Sequence, residues 1–319
     1  MRFHFSERST QTAPIVENLR RSTFLQKVKT EKQLTCCTGL ANFPGFESLC
    51  LAVKYYLEVR NKKEDSYSLD AEGRVFLTLM KLKLNCSFVF LGLLFDCSDV
   101  TCSRYFCEKV KILSCVLKNF IYQPPRDSIR RNIPKVFKPY LNTRIILDCT
   151  KFPVYSPACI TCRTQTYSFY YGRLTLKVLI GITPDGLISF VSVVYGGKAS
   201  DSFIFRKSNV IDACDRGDAV MVDKGFRIDA VCAKRGVQVI QPPFKWRDTP
   251  QFSPKDCVKN SAIARARVHV ERVNERIKNF KIFHDEISWN IVKDIDDILT
   301  IVCALVNLSA PVISDEKFL

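Results

Sequence analysis

The run Ile145-Ile146-Leu147, stopping on Asp148, constrains this chain more than any other stretch. Consecutive apolar residues, two of them β-branched, fit a strand covered on both faces, because a half-exposed strand alternates with polar residues. A carboxylate closing such a strand sits where the sheet meets solvent, and open α/β sheets place their ligands at strand ends. The alternative is that Asp148 merely caps the turn Cys149-Thr150-Lys151. The pattern recurs at Ala219-Val220-Met221-Val222, which stops on Asp223 with Gly225 close behind to turn the backbone sharply.

Around these two runs the second half of the chain reads as mixed. Strands are expected over Leu174–Thr183 and Leu187–Tyr195, joined at Pro184-Asp185-Gly186, where Pro presets φ and Gly takes φ > 0. Helices are expected over Phe203–Ala213 and Ile228–Gly236. A short strand, Val237–Ile240, ends at Pro242-Pro243, and a polar loop over Phe244–Asp256 leads into a long helix, Val258–Phe280. A last amphipathic helix covers Asp294–Leu308. The order predicts an α/β fold, a mixed sheet with an antiparallel side flanked by helices.

The long helix carries Glu271 and Glu275 one turn apart. Two strand-end carboxylates and one from a crossing helix can converge on hard divalent cations, which prefer oxygen ligands. Two such metals ~4 Å apart activate an attacking hydroxyl and stabilise the leaving oxygen in phosphodiester chemistry. Against this, both glutamates have basic neighbours at helical spacing: Arg267 four residues before Glu271, and Arg272 and Lys278 three residues either side of Glu275. Such pairs are common on solvated helix faces. Spacing alone favours Glu271 only weakly.

The first half is helical in pattern. Residues 1–35 are polar and basic without a strong period and read as a disordered arm. Residues 36–68 form a helical leader, with a helix after Phe43-Pro44-Gly45, and then a charged linker. Residues 69–122 hold three helices close together: Leu69–Leu84, Phe88–Phe95 behind Ser87, and Val100–Phe120 behind Ser98 or Asp99. That outline is a helix-turn-helix, whose third helix would read DNA through Thr101, Ser103 and Arg104. The other reading is a small helical bundle with no DNA role. Tyr122-Gln123-Pro124-Pro125 breaks the pattern, and Arg126–Arg131 opens a short helix before the first strand.

Bulk properties agree with a polyanionic partner. The chain has 48 Lys+Arg against 32 Asp+Glu, a formal net charge of +16. No run reaches the ~18 apolar residues of a membrane helix, and the first residues lack the apolar core of a signal peptide. An intracellular protein with no membrane partner is expected. The 15 cysteines then read as small buried hydrophobes. Cys159-Ile160-Thr161-Cys162 is a lone C-x-x-C without the second pair that a zinc finger needs.

Several motifs now line up in sequence: Ile146-Leu147-Asp148-Cys149-Thr150, Arg163-Thr164-Gln165-Thr166-Tyr167-Ser168, Lys177 to Gly186, Gly196-Gly197-Lys198-Ala199-Ser200-Asp201, Val222-Asp223-Lys224-Gly225-Phe226 and Val268-His269-Val270-Glu271-Arg272. Together they resemble the DDE superfamily endonuclease domain of Harbinger-related transposases, from about Arg144 to Leu308. Leu77–Phe106 resembles the helix-turn-helix that precedes that domain.

The resemblance implies a ribonuclease H-like fold over residues 140–310 and DNA cleavage and joining with two Mg²⁺ or Mn²⁺ ions. It maps the catalytic, metal-holding triad onto Asp148, Asp223 and Glu271, and so selects Glu271 over Glu275. Asp201 falls in the family's Ser-Asp motif, either as a fourth carboxylate near the metals or, the favoured reading, as a cap for the Ser202–Ala213 helix. Lys224, Arg272 and Lys278 become candidates for holding DNA phosphates. Relatives often carry a zinc-binding N-terminal module; residues 1–35 contain no cysteine, so none is expected there. DNA is the expected partner and the nucleus the expected location. A homo-oligomer and an accessory DNA-binding protein are left open. The rival reading is a transposase-derived DNA-binding protein that does not cleave.

Overall fold

A computed structural model of the chain describes residues 24–61, 69–243 and 251–311. The arm expected over 1–35 is structured from residue 24 onward. Helix α1 (Glu31–Thr38) is closed by a capping box in which Thr30 accepts from the Gln33 amide and the Gln33 side chain reaches back to the Thr30 amide. Leu34 is buried beneath it. Two satisfied end donors and one buried anchor outweigh the polar composition that suggested disorder. Residues 1–23 lie outside the described residues, as do 62–68 of the charged linker and 244–250 of the polar loop.

Helix α2 spans Phe43–Val59, with Asn42 as its cap and Pro44 inside its first turn, so Phe43-Pro44-Gly45 begins the helix rather than preceding it. Then come α3 (Ala71–Leu84), α4 (Phe88–Phe95) and α5 (Asp99–Leu117). Ser87 and Ser98 cap the last two by accepting from the amides of Phe90 and Thr101. Between α4 and α5 the chain reverses through Asp96 in the left-handed region (φ 53°). A Cβ on Gly92 would lie 2.5 Å from the Cys97 carbonyl oxygen, so this tight turn requires glycine.

After the short helix α6 (Arg126–Arg131), the sheet begins. Its strands are β1 (Thr143–Pro153), β2 (Tyr167–Ser168), β3 (Arg173–Ile182), β4 (Ile188–Val191), β5 (Tyr195–Gly196), β6 (Ala219–Met221) and β7 (Gln238–Ile240). The path is β2-β3-β1-β6-β7, with β4 and β5 also pairing β3. β1 and β3 are antiparallel; β1, β6 and β7 are parallel. This mixed order is consistent with a ribonuclease H-like fold. Among the helices are α7 (Ile160–Thr166), α8 (Asp201–Lys207), α9 (Asp229–Lys234), α10 (Pro254–Lys278), α11 (Lys281–His284) and α12 (Ile295–Asn307). The helix expected over Phe203–Ala213 is broken at Asn209, which adopts φ 54°.

Alternation along β1 divides the core. Ile146 and Phe152 face one cluster, which contains α10, α11, α12 and the N-terminal helices. Ile145 and Leu147 face a second, with Phe205 of α8 and Cys232 of α9. The helix-turn-helix therefore shares a continuous apolar core with one face of the sheet. Among the described residues no helix is long and apolar enough to cross a membrane.

Candidate active site

Asp148 was expected at a strand end. It lies inside β1, and the reason is the unequal length of its neighbours. β3 pairs with β1 as far as Pro153, which keeps the strand extended. On the other side β6 pairs only up to Ile146↔Met221. Beyond Ile146 one edge of β1 is therefore uncovered, and Asp148 is the first residue there on the α10 face. Asp223 follows two residues after β6 stops, in the loop that Gly225 turns. Both carboxylates thus sit where the parallel part of the sheet ends.

Helix α10 crosses beside them and supplies two groups the sequence reading did not assign to the site. Arg267 places one guanidinium nitrogen 3.0 Å from Asp223 Oδ1 and the other 3.4 Å from Asp148 Oδ1. Asn274 donates from Nδ2 to the second oxygen of Asp148, at 2.8 Å. Helical spacing also allowed Arg267 to pair with Glu271 along a solvated face; it turns inward instead, because two carboxylates at the sheet edge form a stronger anionic target. Arg267, Glu271, Asn274 and Lys278 recur at the spacing of one helix stripe. That stripe was the available signal for Arg267 and Asn274.

The electrostatics fit a cation. Burial pushes the Asp148 carboxyl up to about 6; Arg267 opposes the rise, while the charges of Asp223, Asp201 and Glu271 add to it. Ionised Asp148 is therefore disfavoured unless positive charge sits close by. Here a guanidinium occupies the place between two hard oxygen donors that a divalent cation would also satisfy. Glu271 is exposed and forms no ion pair among the described residues. Among them, no group of three His, Cys, Asp or Glu side chains stands close enough to hold a metal ion. The expected convergence of the triad is thus present for Asp148 and Asp223, through Arg267. Glu271 acts on Asp148 by charge without joining them.

Asp201 does not cap α8, and its charge reaches Asp148. Ser200 is the cap of α8, accepting from the Phe203 amide. Asp201 pairs instead with Lys177 of β3, whose Nζ also donates to the Ala199 carbonyl at 2.9 Å. Lys224 is half-buried in the loop after Asp223, Arg272 is exposed on α10, and Lys278 is half-buried near its end. In the first turn of α5, Thr101 is tied to the Ser98 cap, Oγ to Oγ1 at 2.8 Å. Ser103 is half-buried, and Arg104 is exposed with its guanidinium 5.7 Å from the Tyr105 ring centre.

Comparison with known families places the chain. Residues 147–307 match the family described as DDE superfamily endonuclease. The chain belongs to the DDE superfamily endonucleases. Residues 67–119 match the helix-turn-helix of DDE superfamily endonuclease. The matched segment contains Asp148, Asp223 and Glu271 together with Arg267 and Asn274. DDE endonucleases are metal-dependent nucleases of the transposase type, and the paired helix-turn-helix implies DNA binding. No curated protein and no solved structure matches the chain.

Proposed function

We propose that this DDE superfamily endonuclease cuts and joins DNA phosphodiester bonds at Asp148, Asp223 and Glu271. The observation that carries the reading is the bridged carboxylate pair: Asp148 in β1 and Asp223 just beyond β6 share the Arg267 guanidinium at 3.4 and 3.0 Å. Asp148 and Asp223 would hold two Mg²⁺ or Mn²⁺ ions, and Glu271 would complete one of the sites. When bound, such ions activate the attacking oxygen and stabilise the leaving one. Asn274 fixes the Asp148 carboxylate by donating to its Oδ2. Arg267, which neutralises the two carboxylates, would have to release them when metal binds. Lys224, Arg272 and Lys278 would supply positive charge to the phosphates beside the cut.

We assign residues 140–310 to the nuclease and 69–122 to the DNA-reading helix-turn-helix, with Thr101, Ser103 and Arg104 leading into the major groove. The reaction exchanges one phosphodiester for another bond: a water or 3′-hydroxyl oxygen attacks phosphorus, and the strand leaves on its own oxygen. Nuclear location follows from the substrate.

The test is nicking and strand transfer on DNA carrying the element's termini, with Mg²⁺ or Mn²⁺. Wild type should cut, and Asp148→Ala, Asp223→Ala and Glu271→Ala should not. Nicking at the wild-type rate in all three variants overturns the assignment. Tight DNA binding by wild type with no cleavage in either metal favours a binding protein derived from such an enzyme.

A further inference from the structure

A cluster of exposed aromatic rings stands at the far end of the same helix stripe. Between β2 and β3 the chain reverses through Phe169-Tyr170-Tyr171-Gly172, with Gly172 at φ 62° and its amide donating to the Ser168 carbonyl at 2.9 Å. The turn needs its glycine. It does not need three aromatic rings, and it leaves them in solvent: Phe169 is 81 % exposed and Tyr170 85 %. Scattered exposed apolar residues are ordinary, whereas a contiguous group marks a binding surface. The rings form two edge-to-face pairs, Tyr167 with Phe169 at 5.2 Å and Tyr170 with Tyr171 at 5.0 Å.

Positive charge is interleaved with the rings. Lys151 of β1 lies 5.6 and 4.9 Å from the ring centres of Tyr170 and Tyr171 and donates to Ser168 Oγ at 3.0 Å. A cavity of about 790 Å³ beside the turn is lined by Tyr167 and Phe169 and by three cations, Arg163, Arg173 and Lys198, against one acid, Glu286. Arg163 is held there by donating to the Pro157 carbonyl at 2.6 Å. A smaller cavity of about 150 Å³ joins Tyr171 and Lys151 to Lys278 of α10. Lys278 lies on the same helix stripe as Arg267 and Asn274, which touch the carboxylates. Along β1, Lys151 is three residues from Asp148, ~10 Å.

We propose that this turn is a stacking platform for unpaired bases of the DNA strand next to the cut. Aromatic faces accept any base, and interleaved cations follow the backbone, the combination by which proteins hold single strands. A protein partner would also use aromatic rings, but it would not call for Lys151, Arg163, Arg173 and Lys198 on the same surface with one acid among them. The inference rests on the DNA-cutting reading above for its substrate and is independent of it in what it measures.

The experiment compares two fluorescent DNAs by anisotropy in EDTA, where no cleavage occurs: a blunt duplex, and the same duplex with a short single-stranded tail carrying 2-aminopurine. The proteins are wild type and the pair Phe169→Ala and Tyr170→Ala, both highly exposed positions whose loss leaves the core intact. A thermal melt checks that the fold is kept. Wild type should bind the tailed DNA more tightly and quench the 2-aminopurine. The variants should lose about tenfold affinity for the tail, lose the quenching, and bind blunt duplex unchanged. Equal binding of tailed DNA by wild type and variants overturns the platform and leaves the nuclease reading standing. An equal loss on both DNAs overturns it too, since the surface then serves duplex. Failure of wild type to bind either DNA overturns both readings.

Discussion

Asn274 of α10 donates from Nδ2 to Oδ2 of Asp148 at 2.8 Å, joining the long helix to the strand that carries the first candidate ligand. This contact holds Asp148 in one rotamer and leaves its other oxygen for Arg267. Partners of this kind orient metal ligands, and their loss costs ~10- to 100-fold in metal affinity or activity. Asn274→Ala should therefore weaken Mn²⁺ binding by that factor while keeping DNA affinity in EDTA. Titration calorimetry checks the first and anisotropy the second. Unchanged Mn²⁺ affinity would remove Asn274 from the site.

Arg267 is the counter-charge of the metal-free protein. Removing it leaves Asp148 and Asp223 facing each other at the sheet edge, a loss of about 1–3 kcal/mol for a pair that is only partly buried. Arg267→Ala should melt lower than wild type in EDTA, and Mn²⁺ should narrow the gap, because the ion replaces the missing cation. A gap that Mn²⁺ does not change would contradict the shared position.

The raised Asp148 carboxyl fixes a pH dependence. It titrates at about 6 in the folded chain against ~3.9 unfolded. Between those values the folded state binds more protons, so the stability of the metal-free protein falls as pH rises from ~4 to ~6. The full shift corresponds to ~3 kcal/mol, and a side chain 23 % exposed contributes less. Denaturant midpoints at several pH values should show this slope in wild type and lose it in Asp148→Asn. Parallel profiles would refute it. The same proton competes with a metal, so Mn²⁺ affinity should drop below pH ~6.

Asn307, the last residue of α12, ties the helical region to the sheet. Its Nδ2 donates to the carbonyls of Phe120 and Ile188, each at 2.8 Å, and its Oδ1 accepts from the Ile188 amide at 2.8 Å. Asn307→Ala leaves backbone groups without these partners and should cost about 1–3 kcal/mol of stability in denaturant unfolding. A loss under ~0.5 kcal/mol would show that water replaces the side chain fully.

Local sequence carried much of this architecture and part of the site. The strands around Asp148 and Asp223 were legible because apolar, β-branched runs have few other uses, and α4 and α5 because Ser87 and Ser98 are placed as their caps. What local pattern could not give was where β1 ends. That depends on β6 stopping at Met221 while β3 continues, a pairing between distant segments. Arg267 and Asn274 were missed for the same reason: their target, Asp148, lies 119 and 126 residues away. Asp201 was misread because a Ser-Asp pair before a helix offers two capping candidates, and Lys177, which claims the second, comes from another strand.

The proposed catalysis requires Asp148, Asp223 and Glu271 to act together, and Glu271 is the member that does not join the other two. The most direct measurement is single-turnover cleavage of a terminus-bearing DNA by wild type and Glu271→Gln, with Mg²⁺ and with EDTA. The account predicts Mg²⁺-dependent cleavage by wild type and a fall of about three orders of magnitude or more in the variant. Cleavage by Glu271→Gln at the wild-type rate, or cleavage that survives EDTA, would contradict it.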